Sequence, residues 1–181
     1  MAHAAPRPAD AAVPACLDME ASGFGRDSYP IEVGFVLGDG RTWCTLIRPA
    51  DGWTHWDPAA ERLHGISREL VLRHGREVGA VAAQLNRDLA GQTLYCDGWA
   101  HDYAWLNRLF DAAGAVPAFR LDSLRSRLDE VEAERWHGVK QSVARELPAV
   151  RHRASTDAKL LQMTWQRLRE ATAARAGDVP R

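Results

Sequence analysis

The sequence is poor in cysteine, and it lacks both long apolar runs and an excess of positive charge. Its 181 residues include three cysteines, Cys16, Cys44 and Cys96, which are far apart and form no Cys-x-x-Cys pair. This pattern excludes a disulfide framework and a zinc ribbon, and it favours a reducing, cytoplasmic compartment. No apolar stretch approaches the roughly 20 residues of a membrane-spanning helix, so no contact with a membrane is expected.

The chain is also nearly neutral, with 23 Lys and Arg residues against 24 Asp and Glu residues. A long nucleic acid therefore cannot be held by overall charge alone, and a bound polyanion would need a local basic patch or a metal ion. Residues 1–12 have no apolar core behind a basic end, which predicts a disordered tail rather than a secretory signal. Residues 13–175 are expected to form one domain, followed by a frayed end over 176–181.

Apolar runs and turn residues predict a mixed α/β fold. Strands are expected over 13–19, 31–37 and 42–47, and a Gly-Asp-Gly turn between the last two predicts an antiparallel hairpin. The later elements are expected to be two helices, a strand, a helix, a strand and two helices. They are placed at 57–65, 78–91, 93–96, 101–114 (with Tyr103 facing the core), within 117–124, at 121–131 and at 155–174. Residues 137–155 are predicted to be a basic connecting segment.

Two carboxylates, Asp18 and Glu20, stand one residue apart at the end of the first predicted strand. Alternate side chains of a strand share a face, so the two Cα atoms would lie about 7 Å apart with both acids on one side. Like charges on one face repel unless a cation lies between them, and carboxylate oxygens suit a hard divalent metal ion. The alternative is that the strand ends at Leu17 and both acids are solvated loop residues.

Two further stretches carry candidate functional side chains. Asp97 and Asp102 follow the strand predicted at 93–96, where α/β sheets often bind ligands, although each also suits a turn or a first helical turn. His152 and Asp157 are five residues apart, so they can converge only if the histidine precedes the last helix and the acid lies in its first turns. A histidine beside an acid is a candidate general base, and a surface position is the alternative.

Together these stretches resemble the DEDDh branch of the DnaQ-like 3′→5′ exonuclease superfamily. The motifs "LDMEASG", "HDYAWLNRLF" and "HRASTDAKLL" are similar, in this order, to the three exonuclease motifs, and "RLHGIS" (62–67) is similar to the family's His-Gly-Ile-Thr segment. Within this superfamily the chain resembles oligoribonuclease, RNase T and proofreading exonuclease domains, although it has His101 where proofreading members have Asn. The resemblance implies a ribonuclease H-like fold: a mixed sheet with an antiparallel three-stranded start and then parallel strands, flanked by helices.

The resemblance also implies roles for individual residues. Asp18, Glu20, Asp102 and Asp157 would hold two Mg²⁺ ions, for which Mn²⁺ can substitute, and His152 rather than His101 or His137 would be the general base. The residues expected to contact substrate are Met19 and Ala21 through their backbone, Phe24, His64, Arg151 and Arg153. Ala21 and Ser22 stand where many members have Thr-Thr or Met-Thr, so substrate contacts there are expected to differ.

The implied activity is hydrolysis of phosphodiester bonds at the 3′ end of single-stranded or short DNA or RNA, releasing nucleoside 5′-monophosphates. Relatives of this kind also suggest a homodimer or an association with a polymerase. Two alternatives stay open at this point. The chain could be a catalytically inactive nucleic-acid-binding module of the same fold, or an unrelated protein whose acids bind one structural ion.

Overall fold

A single five-stranded sheet organises residues 12–147 and 152–177, which are the residues that the computed structural model describes. The strands lie in the order β3-β2-β1-β4-β5. Their bounds are β1 Ala15–Ala21, β2 Pro30–Val36, β3 Thr42–Leu46, β4 Thr93–Cys96 and β5 Arg120–Ser123. The first three strands pair antiparallel, whereas β1 with β4 and β4 with β5 pair parallel. The predicted mixed sheet is therefore confirmed.

Six helices accompany this sheet in the described residues. They are α1 Pro58–His64, α2 Arg68–His74, α3 Val78–Leu89, α4 Trp99–Ala112, α5 Glu130–Glu146 and α6 Ala154–Gly177. A short 3₁₀ helix, Leu124–Arg127, follows β5. Within these ranges, no helix has the length and apolar character that a bilayer crossing requires.

The two faces of β1 belong to different parts of the core. Leu17, Met19 and Ala21 pack with α3 and α4 in the larger apolar cluster. Cys16, on the opposite face, packs with Ala158 and other residues of α6. Because side chains alternate along a strand, Asp18 and Glu20 share the α6 face with Cys16, toward the carboxyl end of β1.

Three local predictions are wrong. Helix α2 was not expected; it begins at Ser67, whose hydroxyl accepts a hydrogen bond from the Leu70 amide (3.1 Å). The helix expected across 121–131 does not form, because β5 and the 3₁₀ helix occupy its first half. Tyr103 is exposed rather than in the core.

Helix α5 replaces most of the connecting segment expected at 137–155. It begins after Asp129, whose carboxylate accepts from the Glu132 amide (2.8 Å), while the Glu132 carboxylate accepts from the Asp129 amide (3.0 Å). This reciprocal capping fixes the start of the helix. Among its residues only Glu132 and Val143 are buried, so the apolar periodicity that would have revealed the helix is weak.

Candidate active site

The acids of β1 lie inside the strand rather than in a loop. Strand β1 continues to Ala21, and Asp18 and Glu20 pair in register with Gly34 and Glu32 of β2. Both acids are partly buried, whereas their neighbours Leu17 and Met19 are buried on the other face. The alternative in which the strand ends at Leu17 is therefore wrong.

Gly34 lets the start of α6 approach the acids of β1. A Cβ atom on Gly34 would lie 2.3 Å from the backbone nitrogen of Ser155 and 2.6 Å from the carbonyl carbon of Ala154. Such distances are far below van der Waals contact, so any other residue would push the helix away. Because Gly34 is the register partner of Asp18, the first turn of α6 lies directly beside Asp18.

Glu32 fastens the same helix to the sheet. Its carboxylate, fully buried, accepts hydrogen bonds from Arg153 Nε (2.9 Å) and Nη2 (2.5 Å) and from the Ala154 amide (2.9 Å). A charge-assisted pair of this kind is strong and directional. The backbone just before α6, which carries His152, is thereby held against β2.

Glu20, His152 and Asp157 converge at this junction. One ligand atom from each of the three side chains lies within 4.8 Å of the other two, a spacing that a single metal ion could bridge. As expected, the histidine precedes α6 and the acid lies in its first turn. His152 has a left-handed backbone conformation, with φ of 59°, which costs free energy in a residue other than glycine and commonly marks a functional position.

Asp102 approaches the acids of β1 from the start of α4. It is 3% exposed, and the backbone amides of Met19 and Gly98 and the Cys96 thiol interact with its carboxylate. Burial is the main cause that raises its pKa to about 7, with a smaller contribution from Asp97. A deeply placed carboxylate of this kind is costly when charged unless a cation is near.

The other acids are also protonated more easily than usual. The pKa of Asp18 is raised well above its ordinary value, first by burial and then by Asp102, Glu20 and Asp157. The pKa of Glu20 is raised to about 8, first by burial and then by Asp157 and Glu32, against the lowering effect of Arg153. Divalent cations would relieve this repulsion, and carboxylate oxygens are the ligands that Mg²⁺ and Mn²⁺ prefer. The donor set therefore fits the implied metal ions.

A cavity of about 300 Å³ opens beside these side chains and contains a lysine that sequence reasoning missed. Asp18, His152 and Asp157 line it together with Asp97 and Lys140. Lys140 Nζ lies 2.5 Å from Asp97 Oδ2. Lys140 belongs to the part of α5 that was expected to be a connecting segment, so no sequence signal placed it near the site.

The loop after β1 presents an exposed aromatic side chain. Phe24 is 61% exposed and makes an edge contact with the His101 ring, with centroids 5.4 Å apart. Helix α4 holds this loop in place: Trp105 Nε1 donates to the Ser28 hydroxyl (2.9 Å), and Arg108 Nη1 donates to the Ser28 carbonyl (3.0 Å). Because His101 stacks on the Trp105 ring, it lies on the Phe24 side of α4.

His64 and Ser22 lie next to Ala21, the last residue of β1. His64 Nδ1 accepts from the Ile66 amide (3.0 Å), and its buried Nε2 has no hydrogen-bond partner among the described residues. Burial lowers the pKa of His64, and the nearby backbone carbonyl of Ala21 partly offsets this decrease. Ser22 is buried, and its hydroxyl accepts from the Tyr29 amide (3.2 Å) and lies 3.2 Å from His55 Nδ1. Ser22 thus closes the loop between β1 and β2.

The remaining candidate residues have varied surroundings. The Met19 side chain belongs to the core, so only its backbone can face a ligand. Arg153 is already paired with Glu32, and Arg151 lies outside the described residues. His137 is on the surface of α5, where it contacts Gln141. The roles assigned to these residues from the sequence stay predictions.

Comparisons with solved structures identify the fold. The zinc-bound form of the E. coli exonuclease I complex with single-stranded DNA matches with a TM-score of 0.67 and 14% sequence identity, over 91% of this chain and 41% of that chain. A product-bound structure of exonuclease I matches with a TM-score of 0.62 and 12% identity, over 87% of this chain and 43% of that chain. No protein-family model and no curated protein matches the sequence.

The chain spans about two fifths of the length of the exonuclease I chains that it matches. At this level of identity the likeness establishes the fold. The ribonuclease H-like exonuclease fold predicted from the three motifs is therefore confirmed.

Proposed function

We propose that this site hydrolyses the terminal phosphodiester bond at the 3′ end of single-stranded or short nucleic acid and releases nucleoside 5′-monophosphates. The observation that carries the proposal is the convergence of Glu20, His152 and Asp157 within 4.8 Å. Asp18 lines the same cavity as His152 and Asp157, and Asp102 raises the pKa of Asp18. Five side chains from three separate parts of the chain thus meet at the carboxyl end of β1.

Asp18, Glu20, Asp102 and Asp157 would hold two divalent ions, Mg²⁺ or Mn²⁺. When bound, such ions activate the attacking water and stabilise charge on the leaving oxygen. Asp18 lies between the α4 side, where Asp102 approaches, and the α6 side, where Asp157 approaches. It is therefore well placed to take part in holding the ions from both sides.

His152 would accept the proton of the attacking water as general base. Its ring adjoins the Glu20 and Asp157 carboxylates, and the Glu32–Arg153 pair fixes the chain at its C-terminal side. His101 and His137 are less suitable, because one contacts Phe24 and Trp105 and the other contacts Gln141. A histidine held in a left-handed conformation is positioned before substrate arrives, which avoids reorganisation during the reaction.

The 3′-terminal base would stack on Phe24. An aromatic side chain that is 61% exposed, with its loop fixed by Trp105 and Arg108, offers a rigid surface for a base. The buried Nε2 of His64 and the backbone of Met19 and Ala21 are further candidates for contact with the terminal nucleotide. Single-stranded DNA is the first substrate to test, because the matching E. coli exonuclease I structures include complexes with single-stranded DNA and with a dA16 oligonucleotide; RNA is the second.

A 5′-labelled single-stranded oligonucleotide tests the proposal. Wild-type protein with Mg²⁺ or Mn²⁺ should shorten it stepwise from the 3′ end, whereas Asp18→Asn and His152→Ala should be at least about 100-fold slower. Asp122 is an exposed acid in β5, so Asp122→Asn is the matched control and should keep full activity. An inactive wild type, or variants as active as wild type, would refute the proposal.

The inactive-module alternative is disfavoured because all five expected catalytic residues are present in the sequence, and ligand atoms of Glu20, His152 and Asp157 lie within 4.8 Å of one another. Its signature would be oligonucleotide binding by wild-type protein without any shortening. The homodimer and the polymerase association stay predictions.

A further inference from the structure

We propose that Lys140 binds a non-bridging oxygen of the phosphate that enters the cavity beside Asp18, leaving Asp97 to do so. This inference rests on the proposed function and adds a substrate-binding residue to it. The supporting observations are the position of the lysine, its unused hydrogen-bonding capacity, and its rarity in a chain that otherwise uses arginine.

Lys140 faces the same cavity as the catalytic candidates. The cavity, of about 300 Å³, is lined by Asp18, His152 and Asp157 on one side and by Asp97 and Lys140 on the other. Of the side chains that line it in the described part of the chain, Lys140 is the only one with a permanent positive charge. Its charge also acts on Asp18, whose pKa it lowers against the effect of the neighbouring acids.

The ammonium group of Lys140 has capacity for a second partner. It carries three N–H donors, and its one described hydrogen bond goes to Asp97 Oδ2, at 2.5 Å. The side chain of Lys140 is 32% exposed to solvent, and the side chain of Asp97 is 40% exposed. The pair is thus accessible to a phosphate, and a partly exposed ion pair is weak enough to exchange partners.

Arg153, a second cation close to the acids in the described part of the chain, is not available in the same way. Its guanidinium makes a bidentate contact with the fully buried Glu32. Withdrawing it would leave a buried carboxylate unpaired, which is strongly unfavourable. Near the cavity, therefore, Lys140 can exchange partners while Arg153 is fixed.

The use of lysine at this position is unusual for the chain. The sequence contains 21 arginines but only two lysines, Lys140 and Lys159. A guanidinium would bind the Asp97 carboxylate as a planar fork, whereas an ammonium is a compact point charge that can turn from one oxygen to another. A lysine is thus the better side chain for an ion pair that must open for substrate.

Salt dependence of binding is the direct test. A 5′-labelled oligonucleotide is titrated with protein by fluorescence anisotropy between 50 and 200 mM NaCl, with Mg²⁺ and in a His152→Ala background. Lys140→Met should weaken binding about tenfold, and the slope of log K against log [salt] should fall by about 0.7, as expected for one lost phosphate contact on a single strand. Asp97→Asn keeps the lysine and should keep the slope.

Lys159→Met is the matched control. Lys159 is exposed on α6, and its removal should leave the oligonucleotide affinity and the salt slope within experimental error. Equal slopes for Lys140→Met and Lys159→Met would overturn the inference while leaving the proposed function intact. If instead wild-type protein neither binds nor shortens the oligonucleotide, the proposed function fails.

Amine labelling of the wild-type protein avoids any effect of substitution on folding. Acetylation of the two lysines is followed by mass spectrometry with and without the oligonucleotide, in Ca²⁺ and without Mg²⁺ or Mn²⁺, so that the oligonucleotide is not shortened. Bound oligonucleotide should slow acetylation of Lys140 at least fivefold and leave that of Lys159 unchanged. Unchanged acetylation of Lys140 in protein saturated with oligonucleotide would contradict the proposal.

Discussion

Replacing Glu20 by Gln should stabilise the metal-free protein at high pH and remove its response to Mg²⁺. Glu20 lies within 4.8 Å of Asp157, and its pKa is raised to about 8 by burial and by Asp157 and Glu32. A folded-state pKa above the unfolded value of about 4.5 means that the folded form is favoured when Glu20 is protonated. That stability is fully present below about pH 4.5 and is lost as the pH rises through 8.

The magnitude follows from the distance between the two carboxylates. Two unit charges 4.8 Å apart interact by about 3.5 kcal/mol at an effective dielectric constant of about 20. Arg153 lowers the pKa of Glu20 and solvent screens the pair, so we expect a gain of about 2 kcal/mol from Glu20→Gln at pH 9 in EDTA. For a chain of this length that corresponds to a rise in Tm of about 4–8 °C.

Urea unfolding at pH 5.5 and pH 9, in EDTA and in 10 mM Mg²⁺, measures these effects. The variant should be more stable than wild type at pH 9 in EDTA, and the difference should be clearly smaller at pH 5.5, where less of the stability contributed by protonated Glu20 has been lost. Mg²⁺ should stabilise wild type at pH 9 and leave the variant nearly unaffected. Glu134→Gln, on the exposed surface of α5, is the control for loss of charge alone. A variant equally destabilised at both pH values, or stabilised by Mg²⁺ as much as wild type, would refute the reasoning.

Three further substitutions, with Gly79→Ala as a control, test the surroundings of the site. Glu32→Gln should destabilise the fold by about 2 kcal/mol or more in urea unfolding and lower kcat, because the start of α6 loses its anchor. Gly34→Ala should cost about 2–3 kcal/mol in a thermal melt, since its Cβ would meet the Ser155 backbone; Gly79→Ala, in an open helical position, should instead stabilise by about 0.5–1 kcal/mol. Phe24→Ala should raise KM for an oligonucleotide at least about fivefold while unfolding within about 0.5 kcal/mol of wild type.

The elements that carry Asp18, Glu20, Asp102 and Asp157 could be predicted because local rules determine them. Alternation along β1 places Asp18 and Glu20 on one face, and a Gly-Asp-Gly turn fixes the hairpin that follows. The need for His152 to precede the last helix followed from helix geometry alone. Each of these inferences depends on residues that are close together in the sequence.

The parts that could not be predicted depend on contacts between distant residues. Lys140 reaches Asp97 across 43 positions, from a helix whose mostly polar surface gives little periodicity. No sequence pattern assigns a role to Glu32, although its fully buried carboxylate anchors α6. Gly34 gave no signal at all, since its importance lies in the approach of the Ala154–Ser155 backbone.

The most direct test of the central claim is the fate of water oxygen during release of the 3′-terminal nucleotide. Wild-type protein is incubated with Mg²⁺ and a single-stranded oligonucleotide in H₂¹⁸O, and the products are analysed by mass spectrometry. Hydrolysis at the proposed site should release nucleoside 5′-monophosphates that each carry one ¹⁸O in the phosphate, and Asp18→Asn should release them at least about 100-fold more slowly. Absence of release by wild type, products that carry a 3′-phosphate, or full release by Asp18→Asn would contradict the account.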